Sequence, residues 1–223
     1  MSNFVNIGKK IIGIGRNYIE HAKELGNEVP KEPFFFLKPT SSYLQGGGNI
    51  EIPKNSIVHH EVELGVIIGN PGRDIKHEDA FNHIAGYALG IDLTARNLQE
   101  EVKKRGLPWS AAKGFDTFTP VGEFIPKEKI NDSTNVNLWL KVNDNIKQKG
   151  NTKDMLFNIP TLIEYVSSIM KLENGDLILT GTPSGVGPIV AGDIITAGLE
   201  IGDKCLSTIK FPVITRKKIN SKY

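Results

Sequence analysis

A single cysteine, Cys205, stands in 223 residues. It excludes an intramolecular disulfide framework and any zinc site built from several thiolates, and it fits a reducing compartment. Long apolar runs are missing too. The longest, such as Phe34-Phe35-Phe36-Leu37 and Val66-Ile67-Ile68, fall far short of the ~18 residues a membrane span needs, so no membrane partner is expected. Met1–Lys10 carries no apolar signal core and no Arg-rich presequence. The expected location is the cytoplasm or, through a very short address, the mitochondrial matrix; secretion is not expected. The sequon Asn131-Asp132-Ser133 then reads as chance. Charge of one sign is also scarce: 27 basic against 25 acidic residues leave +2. With no basic stripe, no nucleic-acid partner is expected. The basic end at Arg216, Lys217, Lys218 and Lys222 reads as a solvated terminus.

What the chain has is ordinary globular material, 39% hydrophobic and 23% charged. Its length suits one or two domains, with about 70–75% of the unfolded surface buried on folding. No repeat or low-complexity segment appears. Glycine at 23 and proline at 12 punctuate many short elements. β-type runs fall at Lys10–Ile14, Phe34–Leu37, Val62–Ile68, Ile84–Ile91, Val136–Val142, Leu177–Thr180, Ile194–Ala197 and Leu206–Ile214. Three helical patterns are expected. Asn158–Met170 has Pro160 near its start and the stripe Leu162, Ile163, Val166, Ile169 and Met170. Thr94–Arg105 is capped by Thr94 and stopped by Gly106, and Asn17–Leu25 by Asn17 with Glu20 behind it. Strands outnumber helices without alternating with them. One α+β domain over 1–223 is expected, on mixed or antiparallel sheet, with 1–10 and 216–223 peripheral.

Three familiar motifs fail. Gly13-Ile14-Gly15 has Tyr18 where a dinucleotide fingerprint needs its third glycine. Gly181-Thr182-Pro183-Ser184-Gly185 has proline where a nucleophile elbow needs serine. Gly46-Gly47-Gly48 lacks the Lys-Ser/Thr of a phosphate loop.

The most informative stretch is His59-His60-Glu61-Val62-Glu63-Leu64-Gly65-Val66-Ile67-Ile68. Strand alternation sends Val62, Leu64, Val66 and Ile68 to one face and Glu61, Glu63 and Gly65 to the other. Two carboxylates then stand about 6–7 Å apart at the backbone. Any Glu-x-Glu can be a solvated strand face. Here the opposite face is strongly apolar, and Asp92 closes another apolar run, Ile84–Ile91, where a third ligand would stand. Oxygen ligands alone point to Mg²⁺ first, with Mn²⁺ or Ca²⁺ next. His59 and His60 read as supporting groups or as purely structural.

A second set is Gly15-Arg16-Asn17-Tyr18-Ile19-Glu20-His21-Ala22-Lys23-Glu24, in which His21 and Glu24 share a helical face. A glutamate beside an imidazole orients it as a general base. A third set joins Arg96 and Gln99, one turn apart, with Lys113 in Ala112-Lys113-Gly114. For both sets, charge on a helix surface is the plainer alternative.

Together these segments resemble the fumarylacetoacetate hydrolase family, and closely its short acylpyruvase and oxaloacetate decarboxylase branch. The resemblance runs from Gly15-Arg16-Asn17-Tyr18 through Phe36-Leu37-Lys38-Pro39, His60-Glu61-Val62-Glu63-Leu64, Gly90-Ile91-Asp92-Leu93-Thr94-Ala95-Arg96 and Gly106-Leu107-Pro108-Trp109 to Thr180-Gly181-Thr182-Pro183-Ser184-Gly185-Val186-Gly187. It implies a multilayer, β-rich roll of mixed sheet with few helices, a homodimer, and Mg²⁺ on Glu61, Glu63 and Asp92. It further implies a His21–Glu24 dyad on a short helix that orders over bound ligand. Arg96, Gln99 and Lys113 would share the pocket, with Thr182 and the Gly15-Arg16 backbone holding a substrate carboxylate. The expected reaction is C–C hydrolysis of 3-acylpyruvates to pyruvate and a carboxylate. His21 would activate water, while Lys113 and Gln99 position it and stabilise the oxyanion. Oxaloacetate decarboxylation or tautomerisation would use the same small-oxoacid site. The larger fumarylacetoacetases carry an N-terminal domain not found here, so fumarylacetoacetate itself is not the expected substrate. Two other readings stay open: a family isomerase acting on dienoate diacids, and a non-catalytic binder of metal and oxoacid, which would not need His21 and Glu24.

Overall fold

The computed structural model describes residues 2–20 and 29–217. Its largest sheet has six strands: β1 (Ile11–Ile14), β2 (Phe35–Lys38), β6 (Val62–Ile68), β7 (Ile84–Ile91), β10 (Ile125–Pro126) and β13 (Leu177–Leu179). Their order is β10-β7-β6-β13-β1-β2. All neighbours are antiparallel except β1 and β13. A second sheet, ordered β12-β11-β15-β16-β4, joins β4 (Ile50–Ile52), β11 (Asn137–Val142), β12 (Asn145–Asn151), β15 (Ile194–Ile201) and β16 (Lys204–Thr215). Smaller sheets pair β14 (Gly187–Ile189), β5 (Val58–His60) and β8 (Thr94–Ala95), and β3 (Tyr43–Leu44) with β9 (Thr119–Pro120). The result is the expected mixed, β-rich, multilayer architecture with few helices.

The strand with the strongest pattern, β6, lies between β7 and β13, and all seven of its residues are buried. Val62, Leu64, Val66 and Ile68 join one apolar cluster with Leu138, Leu140, Ala197 and Phe211 of the second sheet. Ile67, from the opposite face, joins a second cluster with Phe4, Leu177 and Leu179. The solvated-face alternative for Glu61 and Glu63 therefore does not hold: the large sheet is covered on both sides. A Cβ on Gly65 would come within 2.8 Å of Leu177 Cδ1 and 3.1 Å of the Ala88 carbonyl oxygen, so glycine there serves packing below the acids.

Four α-helices lie wholly within the described residues: α1 (Phe4–Ile7), α2 (Arg96–Lys104), α3 (Ser110–Lys113) and α4 (Ile159–Ile169), and another begins at Ile19 and Glu20. α4 largely matches expectation: Asn158 caps it by accepting from Thr161 N–H at 2.9 Å, and Leu162, Ile163 and Val166 pack in the main core with Met170 against it, whereas Ile169, in its last turn, is exposed. α2 corrects one reading. Thr94 and Ala95 are strand, so Thr94 is no cap; the helix begins at Arg96 with no side-chain cap. It does stop before Gly106, whose φ of +64° suits glycine. Asn17 makes tertiary contacts. Fully buried, it donates to the Thr180 and Phe157 carbonyls and accepts from Phe157 N–H, tying the end of β1 to two distant loops. Most of the helix expected from it lies outside the described residues.

Candidate active site

Strand register brings the three acids together. Val62 pairs with Ile91, and Asp92 N–H donates to the Glu61 carbonyl at 2.8 Å, so Glu61 and Asp92 leave β6 and β7 side by side. Glu63 follows two residues along. All three are buried, and each offers an oxygen within 4.8 Å of those of the other two.

Cations surround them. The Lys113 ammonium, at the end of α3, bridges Glu61 Oε2 at 3.0 Å and Asp92 Oδ2 at 2.5 Å. It also lies 4.6 Å from the Phe36 ring centroid. Lys38, ending β2, donates to Asp92 Oδ1 and, at 2.6 Å, to the Phe118 carbonyl. The Arg96 guanidinium spreads over three partners: Glu61 Oε1 at 2.5 Å, Gln99 Oε1 at 2.5 Å and His59 Nδ1 at 3.4 Å. Thr94 Oγ1 donates to Glu61 Oε1 at 2.9 Å.

The exception is Glu63. Its carboxylate accepts from Gly181 N–H at 2.6 Å, and no ion pair of Glu63 occurs among the described residues. Burial, then the charges of Asp92 and Glu61, push its carboxyl well above the ordinary glutamate value; Lys113 and the Gly181 N–H oppose this. Gly181 reaches it with φ at +98°, and a Cβ there would meet Asn17 Cβ at 2.7 Å. A buried carboxylate crowded by two others and without a direct ion pair among the described residues suits a cation, and an all-oxygen donor set suits a hard divalent one. Glu61, Glu63 and Asp92 could hold it.

The two lysines differ although both touch Asp92. Burial works to lower Lys113, but Asp92 and Glu61 outweigh it and hold the ammonium above the ordinary value. For Lys38 burial wins over Asp92, and Lys113 adds repulsion, so its value falls. Burial and the Arg96 guanidinium push His59 down to about 4.

A cleft opens over the acids, lined among others by Gly15, Arg16, Glu61, Glu63, Arg96, Gln99, Lys113 and Thr182. The residues marked out in the sequence thus converge wherever they are described; His21 and Glu24 lie outside the described residues. Helix-surface charge does not describe Lys113, Gln99 or Arg96: the first two are buried and the third half-buried. Arg16 holds φ at +52°, a left-handed conformation uncommon for a side-chain-bearing residue. Thr182 needs one qualification. Its hydroxyl donates to the Val62 carbonyl at 2.8 Å and accepts from Gln148 Nε2 at 2.8 Å, so the hydroxyl proton is not free for a ligand carboxylate.

Sequence reasoning missed Lys38, Thr94 and Gln148. Lys38 ends an apolar strand as Asp92 does, the signal that picked out Asp92. Gln148 left no apolar pattern to read. His60, buried and lowered by desolvation, faces Gln148 Oε1 through Nδ1 at 2.9 Å, a structural contact behind the acids.

Comparison with known proteins agrees with this geometry. The family model described as fumarylacetoacetate (FAA) hydrolase C-terminal matches residues 10–210. A Dictyostelium discoideum protein named oxaloacetate decarboxylase, mitochondrial, is 56% identical over 98% of this chain and 100% of its own length. One from Arabidopsis thaliana, named oxaloacetate tautomerase FAHD1, mitochondrial, is 55% identical over 95% and 93%. Among solved structures, fumarylpyruvate hydrolase from Pseudomonas aeruginosa in complex with Mn²⁺ and pyruvate superposes with a TM-score of 0.86 at 30% identity, covering 94% and 91%. With the match running through nearly every strand that carries a site residue, the chain belongs to the fumarylacetoacetate hydrolase family.

Proposed function

We propose that the chain is a divalent-metal-dependent enzyme of small 2-oxoacids, decarboxylating or tautomerising oxaloacetate and hydrolysing the C–C bond of 3-acylpyruvates to pyruvate and a carboxylate. The observation that carries this is Glu63, a buried carboxylate without an ion pair among the described residues, set against Glu61 and Asp92 beneath a cationic cleft. The relatives named for oxaloacetate and the neighbour holding Mn²⁺ and pyruvate support it. Glu61, Glu63 and Asp92 would hold Mg²⁺, with Mn²⁺ or Ca²⁺ as substitutes. A cation there supplies Lewis acidity where negative charge develops on the 2-oxo group.

The chain's own residues do the rest. Arg96, the Gly15-Arg16 backbone and the Thr182 backbone receive the substrate carboxylate. Gln99 turns its amide oxygen to Arg96, which leaves its amide N–H groups for the ligand. With Lys113 it positions water and stabilises the developing oxyanion. His21, oriented by Glu24, takes the proton of the water that attacks the distal carbonyl. Loss of CO₂ needs no such water, so both reactions fit one set of residues. A homodimer belongs to the same reading: β2 is an edge strand whose Leu37 is 43% exposed. Mitochondrial location follows the named relatives.

The test is turnover of oxaloacetate and of acetylpyruvate with and without Mg²⁺, followed by ultraviolet absorbance. Both should disappear faster with the ion. His21→Ala should cut hydrolysis by about 10²–10⁴-fold and decarboxylation less. No ion-dependent turnover of either substrate overturns the reading. Equal losses in both reactions retire the water-activating role of His21, and turnover of a dienoate diacid alone moves the chain to the isomerases.

A further inference from the structure

Gln148 is the one buried residue of β12, a strand that is otherwise exposed or half-buried. Its carboxamide makes four contacts, the full number its two lone pairs and two N–H groups allow. The oxygen accepts from Val62 N–H at 3.0 Å and faces His60 Nδ1 at 2.9 Å. The nitrogen donates to Thr182 Oγ1 at 2.8 Å and to the Pro183 carbonyl at 2.9 Å.

Backbone accounting explains the need. On its β13 side, β6 is paired only as far as Gly65, opposite Leu179. Thr180 still reaches the Leu64 carbonyl through its N–H at 3.1 Å and its hydroxyl at 2.9 Å, and then the chain turns away at Gly181. Val62 is left with an N–H and a carbonyl on an edge that no strand among the described residues covers, and buried backbone groups require partners. Gln148 takes the N–H and Thr182 takes the carbonyl. These two groups belong to the peptides joining Glu61 to Val62 and Val62 to Glu63. The β11–β12 register shifts after Leu140, which pairs with Gln148, whereas Lys141 pairs with Ile146; Lys147 is the extra residue of a bulge. Bulges re-aim side chains, and this one adjoins the residue that leaves its own sheet.

We propose that Gln148 is a positioning residue for the acidic cluster: through Val62 N–H and the Thr182 hydroxyl, it sets the backbone on which Glu61 and Glu63 present their carboxylates to a divalent cation. The inference rests on the metal reading above. It differs from a packing role because its effect passes to the carboxylates through two named hydrogen bonds.

The test uses the full chain with Mn²⁺ as probe. Gln148→Met keeps the volume and removes all four contacts. Thr152→Val is the control, since Thr152 is buried on the neighbouring turn and bonds Ser133 and Val136, away from the cleft. In Gln148→Met the Mn²⁺ dissociation constant measured by calorimetry should rise about 10-fold or more, the scale of losses from groups supporting metal ligands. Amide exchange in the peptide spanning 60–64 should quicken. Thr152→Val should lower the thermal midpoint while leaving Mn²⁺ affinity unchanged. Thr182→Val severs the same link from its other end, stands in if Gln148→Met does not fold, and should add little when the two are combined. Unchanged Mn²⁺ affinity in Gln148→Met, or in Thr182→Val should the first not fold, overturns the proposal. An equal loss in Thr152→Val does so too. Absence of Mn²⁺ binding in the unaltered chain overturns the metal reading and this proposal together, and that result is read without any variant.

Discussion

Glu63 and Lys38 show how differently two buried charges can be settled. Glu63 has no ion pair among the described residues and is held toward its neutral form by burial and by Asp92 and Glu61. A carboxyl raised in the folded state makes that state bind more protons than the unfolded one. Without added metal its contribution is therefore greatest below the unfolded glutamate value and is lost as pH rises toward the raised folded value. Glu63→Gln should remove this slope, so the difference in thermal midpoint between variant and parent grows with pH above ~4.5. In calorimetry the parent should release a proton on taking up Mg²⁺, and the variant should bind weakly with little release. A pH-independent difference would show that Glu63 is already ionised. Lys38 is the opposite case, with Asp92 and the Phe118 carbonyl on its ammonium. Lys38→Met takes one of two cations from Asp92, which keeps Lys113, and one of two donors from the Phe118 carbonyl, which keeps the Leu93 N–H. Urea unfolding should show a loss of about 1.5–3 kcal/mol, the scale of hydrogen bonds to a charged group. A loss below ~1 kcal/mol would mark the pair as dispensable.

At the scale of elements, what could be read from the sequence followed apolar periodicity. β6, β7 and α4 announce themselves by it, and with β6 come Glu61 and Glu63. β12 does not, because Asn145-Ile146-Lys147-Gln148-Lys149 has no buried stripe. It is a strand because β11 turns into it through Asn143 and Asp144, with φ at +50° and +66°. A two-residue loop of this kind is a hairpin signal with Asn or Asp in both positive-φ places. That signal, rather than hydrophobicity, would have found Gln148. The extent of α2 was overread because Thr94 looks like a cap, yet its hydroxyl is spent on Glu61. β2 carries a prediction of its own. Its outer edge pairs with no strand among the described residues, and Leu37 is 43% exposed. In the dimer of the proposed reading, Leu37→Lys should shift light scattering at micromolar concentration from dimer to monomer. An unchanged dimer would place the interface elsewhere.

Across the whole molecule, the acidic cluster sits where several layers meet. Glu61 and Glu63 come from the large sheet, their supporting amide from the second sheet, and Lys113 and Arg96 from helices after β8. A cation bound there would tie these layers together only in the folded state. At 100 times its dissociation constant it should stabilise by about 2.7 kcal/mol. For a chain of this size that is a rise of roughly 5–10 °C in thermal midpoint. A midpoint indifferent to Mg²⁺ and Mn²⁺ would mean that the acids hold no ion.

The formal charges of that cluster carry a last consequence. With Glu63 ionised, as a bound cation would make it, three carboxylates face three cations among the described residues, Lys38, Arg96 and Lys113, and cancel. A divalent ion would leave the cluster two units positive, and a dicarboxylate would cancel it again. Ion and dianion would then favour each other's entry, by the same factor whichever arrives first. Loss of CO₂ from oxaloacetate leaves an enolate that is still a dianion; the proton it then takes from solvent makes the monoanion and ends that neutrality, so completing the reaction would loosen the hold on its organic product.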